Sequence, residues 1–231
     1  MTRHIGIVGC SAEGASLCYR TICTEGADVL GPHVHPEVSM HTPSLRDYVA
    51  CLEEGNLAGV AELMLASARK LAAAGAEVLI CPDNTIHQAM PLVVPHSPLP
   101  WLHIAEVVAD ECVRRGFRRV GLTGTTWLVE SNVYPDALSR RGVTVTRPDN
   151  AERDEVNRII MDELVYGRVE PGSTGTVQRV IEQMRDKGCD AVVLGCTEIP
   201  LVINDENAQL PTLDSSRLLA RAALQHALGG A

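Results

Sequence analysis

The sequence predicts an α/β protein made of two pseudo-symmetric domains, each a parallel β-sheet flanked by helices. Three observations predict it. Short apolar runs alternate with longer segments of helical period, the pattern of parallel strands joined by crossover helices. The first half of the chain is echoed in the second. The 231 residues, 45% apolar and 21% charged, are enough to bury a core in one large domain or two small ones.

Taken in order, the apolar run 5–8 is a first strand and 12–24 a helix. Residues 38–41 form a second strand. Val60, Leu63, Met64 and Leu71 fall at helical spacing in a helix over 57–74 that stops at Gly75. Residues 77–81 read as a buried strand and 102–115 as a helix closed by Gly116. Strands at 120–123 and 143–146 precede a helix at 154–165. A helix at 178–187 ends at Gly188, a strand occupies 191–194, and a helix over 215–228 closes the chain. The proline-rich stretch 91–100 reads as a linker.

The repeat aligns Gly75 with Gly188 (188 − 75 = 113), so that AGAEVLICPDNT falls on KGCDAVVLGCTE. Asp83 then falls on Cys196 and Asn84 on Thr197. A second match sets RHIGIVGCS on RRVGLTGTT, pairing Gly6 with Gly121 and Ser11 with Thr126. The expected halves are residues 1–100 with 212–231, and 101–211. Ligands of such sheets bind beyond the carboxyl ends of the strands. All four matched segments end there, so two facing halves would enclose one site in the cleft between them.

Net charge is −9 and the pI is near 5.3. This acidic balance excludes nucleic acid and an anionic membrane as main partners, since both need a basic footprint. No apolar run approaches the roughly 18 residues of a membrane span, and the first residues lack a signal-peptide pattern. Eight cysteines without a C-x-x-C read as free thiols of a reducing, cytoplasmic compartment.

Chemistry is expected at the strand exits Asp83-Asn84-Thr85 and Cys196-Thr197-Glu198, one acid/base group from each half acting on opposite faces of a substrate. Asn, Thr and backbone N–H groups at the following helix start would hold a carboxylate. The bland alternative makes Asp83 and Asn84 helix caps and Cys196 a buried thiol. The paired placement across the repeat favours chemistry. Other motifs carry less. GIVGCSAEG lacks G-x-G-x-x-G and the Walker lysine. His33, His35 and His41 lie in a proline-flanked region without acidic ligands, so no metal is expected. His87 reads as a capping or packing residue, and the arginines at 114–119 as partners of a helix dipole.

The segments IGIVGCSAEG, PEVSMHTPSLRDY, CPDNTIH, GLTGTTWLVES and VVLGCTEIPLVI resemble the cofactor-independent aspartate/glutamate racemases over nearly the whole chain. The resemblance implies an isomerase without pyridoxal phosphate or any other cofactor, acting on a small carboxylate or amino acid, and a homodimer. It implies two cysteines, one per domain, as base and acid at the α-carbon. Cys196 matches the second of these. Asn84 and Thr85 match substrate-carboxylate donors, Thr125 and Thr197 match donors to the same ligand, and Ser11 lies in a loop lining the pocket. Arg46 matches an arginine that grips a distal carboxylate.

The chain departs from the family at one position, where Asp83 replaces the first cysteine of C-N-T; Cys81, two residues earlier, is a shifted alternative. Free aspartate is the weaker base by about 4.6 pKa units, or roughly 6 kcal/mol. Burial raises a carboxylate by up to about 3–5 units. The primary expectation is a racemase using Cys196 and Asp83. The alternatives are a single-cysteine decarboxylase or cis-trans isomerase on the same fold, or a carboxylate-binding protein without turnover.

Overall fold

The computed structural model describes residues 2–230, which pack as two compact units. One unit runs Ala105–Ser215, and the other is built from the chain on either side of it.

The first unit opens with β1 (Ile5–Val8), α1 (Ala12–Leu30), β2 (Val38–His41), α2 (Leu45–Glu53), α3 (Leu57–Ala73) and β3 (Val78–Ile80). A 3₁₀ turn over Thr85–Ala89, α4 (Met90–Val93), a second 3₁₀ turn over Val94–His96 and β4 (Trp101–Leu102) follow. The sheet is parallel with order β2-β1-β3-β4. Every residue of β1 and β3 is buried, as expected for central parallel strands covered on both faces.

The second unit contains α5 (Ile104–Arg115), β5 (Arg119–Thr123), α6 (Thr126–Glu130), α7 (Val133–Ser139), β6 (Thr144–Thr146) and α8 (Asn150–Asp162). These lead to α9 (Ser173–Asp186), β7 (Ala191–Leu194) and β8 (Thr212–Asp214). Its parallel sheet has order β6-β5-β7-β8, the order of the first sheet with each strand replaced by its counterpart. The chain then returns as α10 (Ser215–Ala227) to the first unit. There the Cys18 thiol donates to the Ser216 carbonyl and Arg221 pairs with Glu25.

The repeated glycines have matching jobs. Gly75 and Gly188 stop α3 and α9 with φ of 94° and 85°, a conformation that a Cβ disfavours. Gly6 and Gly121 sit mid-strand where a Cβ would strike Leu79 in one unit and Met184 in the other. They leave room for a side chain of the neighbouring strand β3 in the first unit and of helix α9 in the second.

Several elements differ from expectation. Residues 91–100 are not a linker. They lie inside the first unit, with Met90 and Val93 buried in its core, Leu99 and Trp101 packed on it, and Trp101 Nε1 donating to Ser97 Oγ at 2.7 Å. Proline density misled because Pro91 and Pro95 each fall in the first turn of a short helix, where no backbone N–H is required. Helix α1 runs on to Leu30, since Gly26 admits His35 against it. The short edge strands β4 and β8 had no expected counterpart, nor did α2, α6 and α7.

Candidate active site

In the first unit, β1 and β3 are neighbours, so their carboxyl ends lie side by side. Ser11 follows β1 and caps α1, its Oγ accepting from the Gly14 amide at 3.3 Å. Asp83 follows β3, and its Oδ1 accepts from the Thr85 and Ile86 amides at 3.0 and 3.3 Å. These two N–H groups stabilise negative charge on the carboxylate. Asn84 and Thr85 are buried beside it at the start of the 3₁₀ turn. The capping role of Asp83 is therefore real, and it places the carboxylate at the strand exit that the repeat singled out.

Cys81 is buried at the end of the same strand, its thiol directed at the Asp83 carbonyl. Burial, and after it the Asp83 charge, push this thiol well above its ordinary range. A thiol held protonated is a poor nucleophile, which counts against Cys81 as a shifted catalytic cysteine. Tyr48 on α2 lies in the same core with its hydroxyl buried near Ser67, and burial raises the phenol strongly. Arg46, two residues before it, is exposed in the first turn of α2. The structure does not bring Arg46 into the hydrogen-bonded group at the β3 exit.

In the second unit, β5 and β7 are neighbours and their exits press together. The Gly195 amide donates to the Thr123 carbonyl at 3.0 Å, and a Cβ on Gly195 would strike that oxygen. Thr125 caps α6, its Oγ1 accepting from the Leu128 amide at 3.4 Å. Cys196 is 8% exposed and donates its thiol proton to Glu198 Oε2 at 3.0 Å. Thr197 donates to the same oxygen at 2.6 Å. A carboxylate that accepts from both is thus part of the cysteine's immediate surroundings.

Glu198 is the residue the sequence reading passed over as an actor. Its signal was an acidic side chain two residues beyond a strand-exit cysteine, where a tight turn returns it to the thiol. Its relative exposure is 4%, so its bond to the thiol is shielded from water. No cluster of three or more His, Cys, Asp or Glu side chains suited to a metal occurs among the described residues. No helix among them is long and apolar enough to cross a membrane.

Comparison with known proteins adds to this geometry. The family model described as Asp/Glu/Hydantoin racemase matches residues 5–223. A solved candidate Asp/Glu racemase from Yersinia pestis is 31% identical, with a TM-score of 0.88, covering 98% of this chain and 99% of that one. An aspartate racemase homologue from Pyrococcus horikoshii is 27% identical with a TM-score of 0.83, covering 99% of this chain and 100% of that one. The broad specificity amino-acid racemase RacX of Bacillus subtilis is 23% identical over 158 residues, 67% of this chain and 66% of its own length.

Proposed function

The chain belongs to the Asp/Glu/hydantoin racemase family, and from that premise we propose that it inverts the α-carbon of a small acidic amino acid, with Cys196 and Asp83 as its proton-transfer groups. It is an isomerase of the cofactor-independent amino acid racemase kind. Decarboxylation, cis-trans isomerisation and binding without turnover are not favoured by these relationships.

The observation that carries the residue assignment is the thiol-to-carboxylate bond of Cys196 and Glu198 at a strand exit, matched through the repeat by the Asp83 carboxylate. The thiol is the donor to Glu198 Oε2, so the proton of this bond sits on sulfur. Cys196 is then loaded as the acid, and Asp83, stabilised as an anion by two amides, as the base. In the reverse direction the roles exchange. Asn84, Thr85, Thr125 and Thr197 hold the substrate carboxylate and stabilise enediolate charge, and Ser11 is a further substrate-binding residue. Arg46 meets a second acidic group.

The proposed domain halves are those read from the repeat, 1–100 with 212–231 and 101–211, with boundaries moved a few residues on so that β4 stays with the first sheet and β8 with the second. A cytoplasmic homodimer is the proposed working form. The compartment is supported by eight cysteines that form no disulfide, which suit reducing surroundings.

The test is deuterium incorporation at the α-carbon in deuterated water, followed by NMR, on both enantiomers of aspartate and glutamate. Wild type is run beside Cys196→Ser and Asp83→Asn. Exchange and inversion in wild type, abolished in both variants, support the proposal. Loss in Cys196→Ser alone removes Asp83 from the pair. No exchange on any of the four substrates by folded wild type removes the acidic amino acid as substrate.

A further inference from the structure

The ladder of β3 ends at Ile80, paired with Leu102, and the chain turns at Pro82, which has no N–H to offer. The Cys81 carbonyl between them is satisfied by the imidazole of His87, six residues on, whose Nε2 donates to it at 3.0 Å. The next carbonyl, of Pro82, accepts from Ser216 Oγ at 3.5 Å. The Asp83 carboxylate then accepts from two amides of the 3₁₀ turn that carries His87. The loop is thus tied at three successive residues, and His87 closes the ring from the far side.

A carbonyl only accepts, so His87 carries its proton on Nε2 and presents a lone pair at Nδ1. That Nδ1 is buried and has no hydrogen-bond partner, while His103 meets the ring edge-on at 4.5 Å between centroids. His87 is 1% exposed. An apolar side chain would fill this space without an orphaned acceptor. The one thing it could not do is donate to Cys81. Burial, with His103 second, holds the ring neutral with its pKa lowered to about 3, so it does not exchange protons with a substrate near neutral pH.

We propose that His87 is a positioning residue for the reaction, fixing the β3 exit through the Cys81 carbonyl so that the Asp83 carboxylate is held in place before substrate arrives. The proposal rests on the reading of Asp83 as a proton-transfer group. Positioning of this kind acts on turnover more than on binding, because small displacements of a reacting group are felt in the transition state.

The test compares wild type with His87→Leu and His87→Gln, the second of which returns a side-chain N–H near the position of Nε2. In His87→Leu, kcat for α-proton exchange falls by about tenfold to a hundredfold while KM stays within about threefold. Amide hydrogen exchange at Thr85 and Ile86 accelerates in the same variant, and His87→Gln recovers most of both effects. Unchanged kcat with unchanged amide protection in folded His87→Leu overturns the proposal. So does a folded His87→Gln as impaired as His87→Leu.

Nitrogen-15 NMR of the wild-type ring needs no variant to fold. A neutral Nε2–H tautomer from about pH 5 to 8 supports the assignment, and titration or an Nδ1–H tautomer in that range overturns it. If wild type turns over none of the amino acids, the functional reading fails, while amide exchange and the ring tautomer still decide the role of His87.

Discussion

The Thr85 amide donates to Asp83 Oδ1 at 3.0 Å, so the side chain assigned to proton transfer also caps the turn that carries its neighbours. The Ile86 amide adds a second bond to the same oxygen at 3.3 Å. Under the proposed assignment one carboxylate carries both capping and chemistry, and substitutions separate them.

Asp83→Asn keeps an oxygen acceptor for both amides but removes the base. Its stability stays within about 0.5 kcal/mol of wild type, whereas Asp83→Ala loses about 1 kcal/mol, the usual worth of a cap. Both variants lose racemisation. Urea denaturation beside deuterium exchange at the α-carbon checks the pair. A large loss of stability in Asp83→Asn would contradict the capping account.

Glu198 holds the proton on Cys196 by accepting its hydrogen bond. Glu198→Gln removes a negative charge about 3 Å from the sulfur, so the thiolate becomes easier to form. Alkylation of Cys196 by iodoacetamide near neutral pH is expected to accelerate at least about tenfold. Racemisation falls in the same variant, since the acid is no longer kept loaded. Slower alkylation would instead make Glu198 an activating base.

The buried His87 gives stability a pH dependence of defined sign. Its folded pKa, about 3, lies below the ordinary 6.5, so the unfolded chain binds the proton first. Stability from this group is present above pH 6.5 and is lost as pH falls toward 3, at up to about 1.4 kcal/mol per unit. His41 and His226 are lowered by burial and then by neighbouring Lys70 and Arg3, and add in the same direction. Denaturation midpoints measured across this window are expected to fall less steeply in His87→Gln than in wild type.

Tyr48 buries a hydroxyl that makes no well-formed hydrogen bond, with Ser67 as its polar neighbour. Tyr48→Phe removes this unsatisfied group at nearly constant volume. The variant is expected to match or exceed wild type in stability, by up to about 1–3 kcal/mol. Thermal unfolding checks it, and a clear drop in Tm would show that the hydroxyl is paired in solution.

Strands β1, β2 and β7 were legible to the residue because each is a short apolar or alternating run bounded by turn residues. Helix α1 was legible only at its start, where Ser11 caps it. Its end depends on Gly26 meeting His35 and on Glu25 pairing with Arg221, contacts that no local pattern encodes. The two-residue strand β4 was hidden inside a proline-rich stretch, since edge pairing with β3 requires no long apolar run. The places of Ser11, Asp83, Thr125 and Cys196 at strand exits were legible because strand exits follow from strand positions. Glu198 and His87 were noticed but their hydrogen-bond partners were not, because these depend on a side chain turning back onto its own loop.

The sequence by itself determined the doubled α/β plan and the strand exits where polar residues gather, because these rest on periodicity, on glycine stops and on a repeat readable along one line; the family followed from the resemblance of motifs such as CPDNTIH and VVLGCTEIPLVI. Only the tertiary structure decided which groups those residues touch. It showed Asp83 charge-stabilised by two amides, Cys196 bonded to Glu198, Cys81 buried with its thiol turned to the Asp83 carbonyl and His87 tied to the strand end. The physical reason is that hydrogen bonding and burial are set by the atoms surrounding a side chain in space, and these come from several elements of the fold.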